Sequence, residues 1–242
     1  MSDAINISTK ISPTLHPSTI KSLDGYTDAT KAYVAGVETA FSEVYQGVQA
    51  VYAAKEAAEK NPTLNAAGKL LQVDDFATKK MDRVLRMLDG ASVKLDQGIG
   101  FLEGELALPL KSKAAESVSQ EIRAYIKNLP TEERHKFIQE RIDAGDETTV
   151  SAALGCPGYL SGLTDDFQKT YTKFWNAKVA PEKAARLKVM LAAKDKLARD
   201  SGKVLTAFAD AVGYLTEPSS KRRIYASDLR KAKTAAEKPF VA

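Results

Sequence analysis

The chain has 242 residues, of which 44% are hydrophobic, 27% charged and 7% aromatic, which is typical of a globular protein long enough to bury a core. Its one cysteine, Cys156, excludes an intrachain disulfide and fits a reducing compartment. No apolar run approaches the roughly 18 residues that span a bilayer, and residues 1–12 lack the apolar core of a signal peptide. We therefore expect a protein without a transmembrane segment that is cytoplasmic at synthesis.

The excess positive charge lies at the C-terminal end. Residues 217–242 contain seven basic and three acidic side chains, which accounts for the net charge of the whole chain, +4. The remaining residues are neutral overall, so charge gives no reason to expect their binding to nucleic acid or an anionic membrane. We predict a basic tail over 217–242 that is either solvated or in contact with an acidic partner.

Residues 25–110 are predicted to form a long helical hairpin. Its first helix covers about 27–60, where apolar residues recur every three or four positions: Val34, Val37, Phe41, Val44, Val48 and Val51. Valine also favours strands, but period-two alternation is absent. Asn61-Pro62 ends this helix, because the residue before a proline is disfavoured in the α region.

The second helix of the hairpin is predicted over about 73–107. A separate short helix over 64–71 before it is left open. Its seam is Met81, Leu85, Leu88, Ser92, Leu95, Ile99, Leu102 and Leu106. Four glycines interrupt it and indicate close helix approach or local bending: Gly90, Gly98, Gly100 and Gly104. Pro109 is expected to end the helix.

Residues 111–163 have the pattern of a compact subdomain of short helices. The first covers about 114–129, and the second begins at Pro130-Thr131 and ends at Gly145. Asp146 is a suitable N-cap for a third that ends at Leu154-Gly155.

The third long element covers 164–216 and begins with Thr164 as N-cap. An aromatic face follows, and Pro181 either kinks or restarts the helix. Beyond it a heptad seam contains Leu187, Met190, Leu197, Val204, Phe208, Ala211 and Leu215, with Lys194 and Ser201 as polar interruptions.

These elements predict an all-α protein, an elongated antiparallel three-helix bundle with coiled-coil character plus the short-helix subdomain. The apolar stripes could also pair between chains. We expect a helical content above about 65%, well over the globular average. The Ser/Thr/Pro-rich residues 1–24 and the tail are predicted to be extended arms that contact neighbouring subunits.

Few residues offer catalytic or metal-binding chemistry. His16 and His135 are the only histidines, and Glu132 with His135 gives one Glu-x-x-His where a di-iron bundle needs two, so we expect a solvated His135. Cys156, in a Gly-Cys-Pro-Gly turn, has no histidine nearby in sequence to act as its base, and Trp175 has the spacing of a core residue. We therefore predict no enzyme activity, no cofactor and no metal.

The stretch from Glu121 to Thr164, with its Leu-Pro-Thr-Glu-Glu-Arg and Ala-Leu-Gly-Cys-Pro-Gly-Tyr-Leu-Ser-Gly-Leu-Thr segments, resembles uncharacterised helical proteins encoded by tailed bacteriophages and prophages. The resemblance covers under a fifth of the chain and contains no catalytic motif. It implies a virion-associated or assembly component.

We therefore expect a structural or interaction protein, a homo-oligomer or part of a larger assembly, located in the virion. The alternative is a helical module that contacts nucleic acid or a membrane surface through its basic tail. The residues predicted to contact an acidic partner are Lys221, Arg222, Arg223, Arg230, Lys231 and Lys233.

Overall fold

The computed structural model describes residues 10–114 and 118–237. The fold is all-α, as predicted, with 80% of the described residues in helices. The α-helices are α1 (Ala35–Glu59), α2 (Ala66–Lys113), α3 (Val118–Asn128), α4 (Thr131–Ala144), α5 (Glu147–Leu154), α6 (Asp165–Val179), α7 (Pro181–Val212) and α8 (Ala226–Glu237). Two short antiparallel strands, β1 (Leu215–Thr216) and β2 (Arg223–Ile224), form a hairpin.

The chain divides into two compact units. Of the described residues, the first unit contains 10–26, 34–93 and 193–237, and the second contains 27–33, 94–114 and 118–192. Two of the boundaries fall within α2 and α7, and the other two flank residues 27–33.

The core of the first unit lies between α1, the first half of α2 and the second half of α7. All six seam residues of α1, Val34 to Val51, are at most 1% exposed. The helices approach closely at Gly47, where a Cβ would lie 3.1 Å from Phe208 and 3.4 Å from Val84. The predicted burial of Val44 and Phe208 is confirmed.

The N-terminal residues 10–24 are not an extended arm, and that prediction is wrong for them. They form two short 3-10 helices, Pro13–Leu15 and Pro17–Ser22. Leu15 and Ile20 are completely buried, and burial of apolar side chains offsets the entropy of ordering the segment. Residues 1–9 of the predicted arm lie outside the described residues.

The tail is likewise ordered from 217 to 237, so the prediction that it is extended is wrong there. The chain turns at Gly213, whose φ of 79° suits glycine, and continues as the hairpin and α8. Ala226, at the start of α8, is buried. Residues 238–242 are not among those described.

The second unit has its own core, formed by the end of α2 and helices α3 to α6. Its buried residues are Leu110, Ile126, Ile138, Ile142, Val150, Ala153, Leu154, Leu163, Tyr171 and Trp175. Three predicted helix caps are confirmed: Gly145 is left-handed at φ 74°, Asp146 accepts from the Thr149 amide, and Thr164 accepts from the Phe167 amide. The burial of Trp175 is also confirmed.

The boundaries of the long helices differ from the predictions. The α-helix of α1 begins at Ala35, after a 3-10 turn over Lys31–Val34. Helix α2 is continuous from Ala66, and it passes through Pro109. Leu110 is 3% exposed, so packing of this last turn in the core outweighs the one backbone hydrogen bond that a proline removes.

The seam of α2 is buried from Leu95 to Leu106, whereas Leu85 and Leu88 are only half-buried. Close approach holds at Gly98, where a Cβ would overlap Met190, but not at Gly90, Gly100 or Gly104, where open space surrounds the Cβ position. Pro181 restarts the chain as the separate helix α7.

Candidate interaction surfaces

A buried ion pair in α7 holds the N-terminal segment. Lys196 Nζ lies 2.8 Å from Asp200 Oδ2 and donates to the Thr14 carbonyl oxygen at 2.8 Å. It also lies 4.6 Å from the ring centroid of Phe41. Lys203 donates to the other oxygen of Asp200 at 2.7 Å. The contacts therefore join a 3-10 segment near the N-terminus to α1 and α7.

The two lysines determine the ionisation of Asp200. Burial raises the pKa of its carboxyl, but the hydrogen bonds and positive charges of Lys196 and Lys203 outweigh burial, and the net pKa lies below its ordinary value. The carboxylate is therefore ionised at neutral pH.

Sequence reasoning missed this network. It assigned Lys194 and Ser201 to the seam of α7, but both are exposed, and the buried positions are Lys196 and Asp200. A Lys and an Asp four residues apart are neighbours on one helix face. Extending the spacing back from Val204 would have placed both on the core side.

Three of the six residues predicted to contact an acidic partner are engaged within the chain. Arg230 Nη2 lies 2.6 Å from carboxylate oxygens of both Asp74 and Asp75 on α2. Lys233 pairs with Glu237 at 3.7 Å. The guanidinium of Arg223 lies 4.5 Å from the ring centroid of Tyr214. The structure therefore places one acidic surface for the tail on the chain itself.

The other three, Lys221, Arg222 and Lys231, are exposed. Their side chains make no ion pair within residues 10–114 and 118–237. Lys221 adopts a left-handed φ of 55° in the hairpin turn, where the Glu217 carboxylate accepts a hydrogen bond from Ser220. The turn presents two adjacent cationic side chains to solvent.

Arg134 stabilises the subdomain that contains residues 121–164. Its guanidinium donates to four backbone carbonyl oxygens, those of Ile126 (3.0 Å), Lys127 (2.9 Å), Leu129 (2.7 Å) and Gly162 (2.7 Å). Carbonyls at the end of a helix have no intrahelical partner, so Arg134 supplies the partners that the end of α3 lacks.

The prediction that His135 is solvated is wrong. Its Nδ1 lies 2.9 Å from the Tyr171 hydroxyl, and its ring centroid is 4.1 Å from that of Phe167. Burial raises the pKa of Tyr171. Packing of α6 against α4 produces this contact between residues 36 positions apart, which local sequence could not indicate. His16 instead caps a 3-10 helix, with its Nδ1 accepting from the Ser18 amide.

Cys156 is half-buried in its turn. Its backbone carbonyl oxygen, not its thiol, is held in place, since it accepts a hydrogen bond from Gln168 at 2.6 Å. Gln168 also donates to the Leu154 carbonyl oxygen at 2.8 Å. The turn is thereby tied to α6.

Large apolar side chains are exposed on the second unit. Three of them are about two-thirds exposed: Tyr159 (68%), Leu108 (67%) and Phe101 (66%). Tyr125, Phe174 and Val179 are about half exposed. Single exposed apolar residues are normal, whereas several on one domain suggest contact with a partner.

Two open grooves of the first unit adjoin α7. One, of about 360 Å³, lies between α2, α7 and the start of α8 and includes Met81, Leu205 and Tyr225. The other, of about 230 Å³, lies beside the ion pair and includes Leu88, Leu197 and Asp200. Neither groove brings together a nucleophile and a base.

The described residues contain neither a metal-binding cluster nor a helix suited to span a membrane. Within 10–114 and 118–237, no three His, Cys, Asp or Glu side chains are grouped as a metal site would require. In the same part of the chain, no helix has the length and apolar character needed to cross a membrane.

The sequence matches no protein-family model and no curated protein, and the structure matches no solved structure.

Proposed function

We propose that this protein is a structural subunit that acts by binding other protein subunits, as a virion-associated or assembly component of a tailed bacteriophage. The observation that supports it best is the set of strongly exposed apolar side chains on the second unit, Phe101, Leu108 and Tyr159. A water-exposed aromatic or leucine side chain gains free energy when a partner covers it.

The phage context rests on the resemblance of residues 121–164. That segment includes helices α4 and α5, which belong to the second unit. Arg134 and its four carbonyl partners hold it in one conformation. A rigid segment suits a docking role, since less conformational entropy is lost on binding.

Within this proposal the helices form the elongated three-helix bundle that the heptad seams predict, and the protein works as a homo-oligomer or as one subunit of a larger assembly. Contact between α1, α2 and α7 around Gly47 supports the bundle. Its location is the cytoplasm at synthesis and the virion afterwards.

The test is the stoichiometry of the chain in purified particles. Quantitative mass spectrometry of particles from the phage that encodes the chain should give a fixed copy number that survives a high-salt wash. A copy number that varies between preparations and falls to background after the wash would contradict the proposal.

The second candidate is contact with nucleic acid through the tail. The observation that favours it is the hairpin turn, where Lys221 and Arg222 are exposed without an acidic partner in the described part of the chain. Phosphate contacts release counterions, so binding should weaken steeply with salt. Fluorescence anisotropy with a DNA duplex should show a salt slope that becomes shallower in the variant Lys221→Ala/Arg222→Ala.

A further inference from the structure

Helix α2 has a second apolar face in the second unit. Its buried stripe consists of Leu95, Ile99, Leu102, Leu106 and Leu110. At 100° per residue, the opposite side of the helix carries Gln97, Gly100, Phe101, Gly104 and Leu108, all of them exposed. A solvated helix face ordinarily carries charges, whereas this face has none from 97 to 108.

The residues of this face have no apparent role within the chain. Phe101 and Leu108 are 66% and 67% exposed. At Gly100 and Gly104 nothing within the described chain comes within 4 Å of a Cβ position. Glycine is a poor helix former, so two glycines one turn apart weaken α2 without bringing another part of the described chain closer.

We propose that this face of α2, from Lys94 to Leu108, binds the same face of a second copy of the chain in an antiparallel, two-fold symmetric pair. The inference rests on the proposed function, since it names the partner that the structural subunit binds. Glycines on a helix face let two backbones approach closely.

The sequence of the face is self-complementary. In an antiparallel pair whose two-fold axis passes at Gly100, residue 100−n lies opposite residue 100+n of the second copy. Phe101 and its copy then lie on either side of the axis, two positions apart along the helices, and Gln97 lies level with residue 103 of the second copy, one position from its Gly104. The axis also places the glycine at 100 against its own copy, where the helices come closest.

Charge agrees with the same register. Lys94 and Glu105 lie along one edge of the face, and the axis at Gly100 puts Lys94 level with residue 106 of the second copy, one position from its Glu105. The symmetric contact forms a second time across the axis. Glu105 already pairs with Lys183 at 3.1 Å, so its carboxylate would accept two cations.

The proposed contact is small. Residues 94–108 make about four helical turns, and the surface area that two such faces bury is less than the roughly 1,600 Å² of a standard interface. We therefore expect a reversible dimer whose population rises with concentration in the micromolar range, rather than a permanent one.

Sedimentation velocity over a concentration series tests the proposal. The wild-type chain should dimerise, and Phe101→Glu should be monomeric at every concentration, since two negative charges then face each other beside the two-fold axis. Tyr159→Glu is the matched control, because Tyr159 is 68% exposed on the same unit but off this face. A monomeric wild type, or dimerisation of Phe101→Glu like that of the wild type, would overturn the proposal.

A second variant separates the interface from folding. Gly100→Ala/Gly104→Ala should raise the thermal midpoint of the monomer, because alanine is the better helix former, while it weakens the dimer about tenfold or more. Gly202→Ala, at an open glycine on α7, should raise the midpoint and leave dimerisation unchanged. Equal dimerisation in all three proteins would contradict the close contact at these glycines.

Failure of this inference and failure of the proposed function can be told apart. A chain that is monomeric in solution but present in particles at fixed copy number keeps the function and overturns the α2 pairing. A chain that dimerises through Phe101 but is absent from particles keeps the pairing and overturns the phage role.

Discussion

Lys196 Nζ lies 2.8 Å from Asp200 Oδ2, one turn apart on α7, with the two side chains 5% and 2% exposed. A buried ion pair of this kind adds little net stability, because the loss of hydration roughly cancels the attraction. The pair instead favours one arrangement of the chain, since another arrangement would leave a buried charge without its partner. Lys196 also donates to the Thr14 carbonyl oxygen, so the pair determines where the N-terminal segment lies.

Asp200→Asn should destabilise the protein by about 3–5 kcal/mol at neutral pH, because it leaves the buried ammonium of Lys196 without its carboxylate. Urea unfolding monitored by circular dichroism measures the loss. Lys203→Gln is the matched control, since this lysine reaches the same carboxylate from a 45% exposed position and should cost no more than about 1 kcal/mol. Equal losses in the two variants would contradict the role of the buried pair.

The same carboxylate should make the free energy of unfolding depend on pH. The pKa of Asp200 is lowered in the folded protein, so the unfolded chain binds the proton more tightly. The stabilisation is therefore complete above the unfolded pKa of about 3.9 and is lost as the pH falls through the folded value. Unfolding midpoints measured below about pH 4 should fall less steeply for Asp200→Asn than for the wild type. Parallel curves would contradict the assignment.

Arg134→Lys should destabilise the second unit by about 1–3 kcal/mol, because an ammonium cannot reach the four carbonyl oxygens that the guanidinium fork binds, and three of these hydrogen bonds are partly buried, where unpaired acceptors are costly. Lys136→Met is the control, since Lys136 is exposed on the same helix and should change the midpoint little. Hydrogen exchange in 118–128 should also accelerate in Arg134→Lys alone. Unchanged exchange there would show that Arg134 does not cap α3.

Local signals in the sequence predicted the helix ends of the second unit. Gly145, Asp146 and Thr164 act through their own backbone angles and through amides three residues away, so their effect can be read from adjacent residues. Pro181 acted in the same way. Pro109 did not, because the burial of Leu110 is a property of the tertiary core and outweighs a local helix breaker.

Contacts between distant residues could not be predicted. The carbonyl of Thr14 and Lys196 are 182 positions apart, and His135 and Tyr171 are 36 apart. Nothing in the composition of residues 10–24 distinguishes a flexible arm from a packed segment, since its four aliphatic side chains, Ile11, Leu15, Ile20 and Leu23, are scattered among polar ones. The order of this segment arises from its packing against α1 and its hydrogen bond to Lys196 on α7.

Gly155→Ala should destabilise the second unit by about 1–3 kcal/mol. The backbone at Gly155 has an ordinary helical φ of −78°, so strain is not the reason. A Cβ there would overlap the carbonyl oxygen of Leu110, and backbone atoms cannot move aside as a flexible side chain can. Differential scanning calorimetry gives the change in midpoint.

Gly36→Ala is the matched control for this contact, because nothing lies within 4 Å of its Cβ position on α1. It should stabilise the protein by up to about 1 kcal/mol through helix propensity. The same substitution should therefore have opposite signs at the two sites. A stabilising Gly155→Ala would show that α5 does not pack against α2 as described.

Arg230→Gln should release α8 from α2. The guanidinium of Arg230 binds Asp74 and Asp75 together, and the hydrogen bonds and charges of both carboxylates raise its pKa. The group is 46% exposed, so water and salt screen the pairs and the effect on global stability should stay below about 1 kcal/mol.

The local effect of this substitution should be larger, because few other buried side chains hold α8: Ala226 is the only buried residue of the helix among those described. Hydrogen exchange of the 226–237 amides should accelerate in Arg230→Gln, and in the wild type it should accelerate as salt rises. Lys231→Gln is the control, since Lys231 is next to Arg230 in sequence but makes no ion pair in the described part of the chain. If the tail binds an acidic partner, that partner must compete with Asp74 and Asp75, and Asp74→Asn/Asp75→Asn should strengthen the binding. Exchange in 226–237 that is the same in Arg230→Gln and Lys231→Gln would show that the two aspartates do not hold the tail.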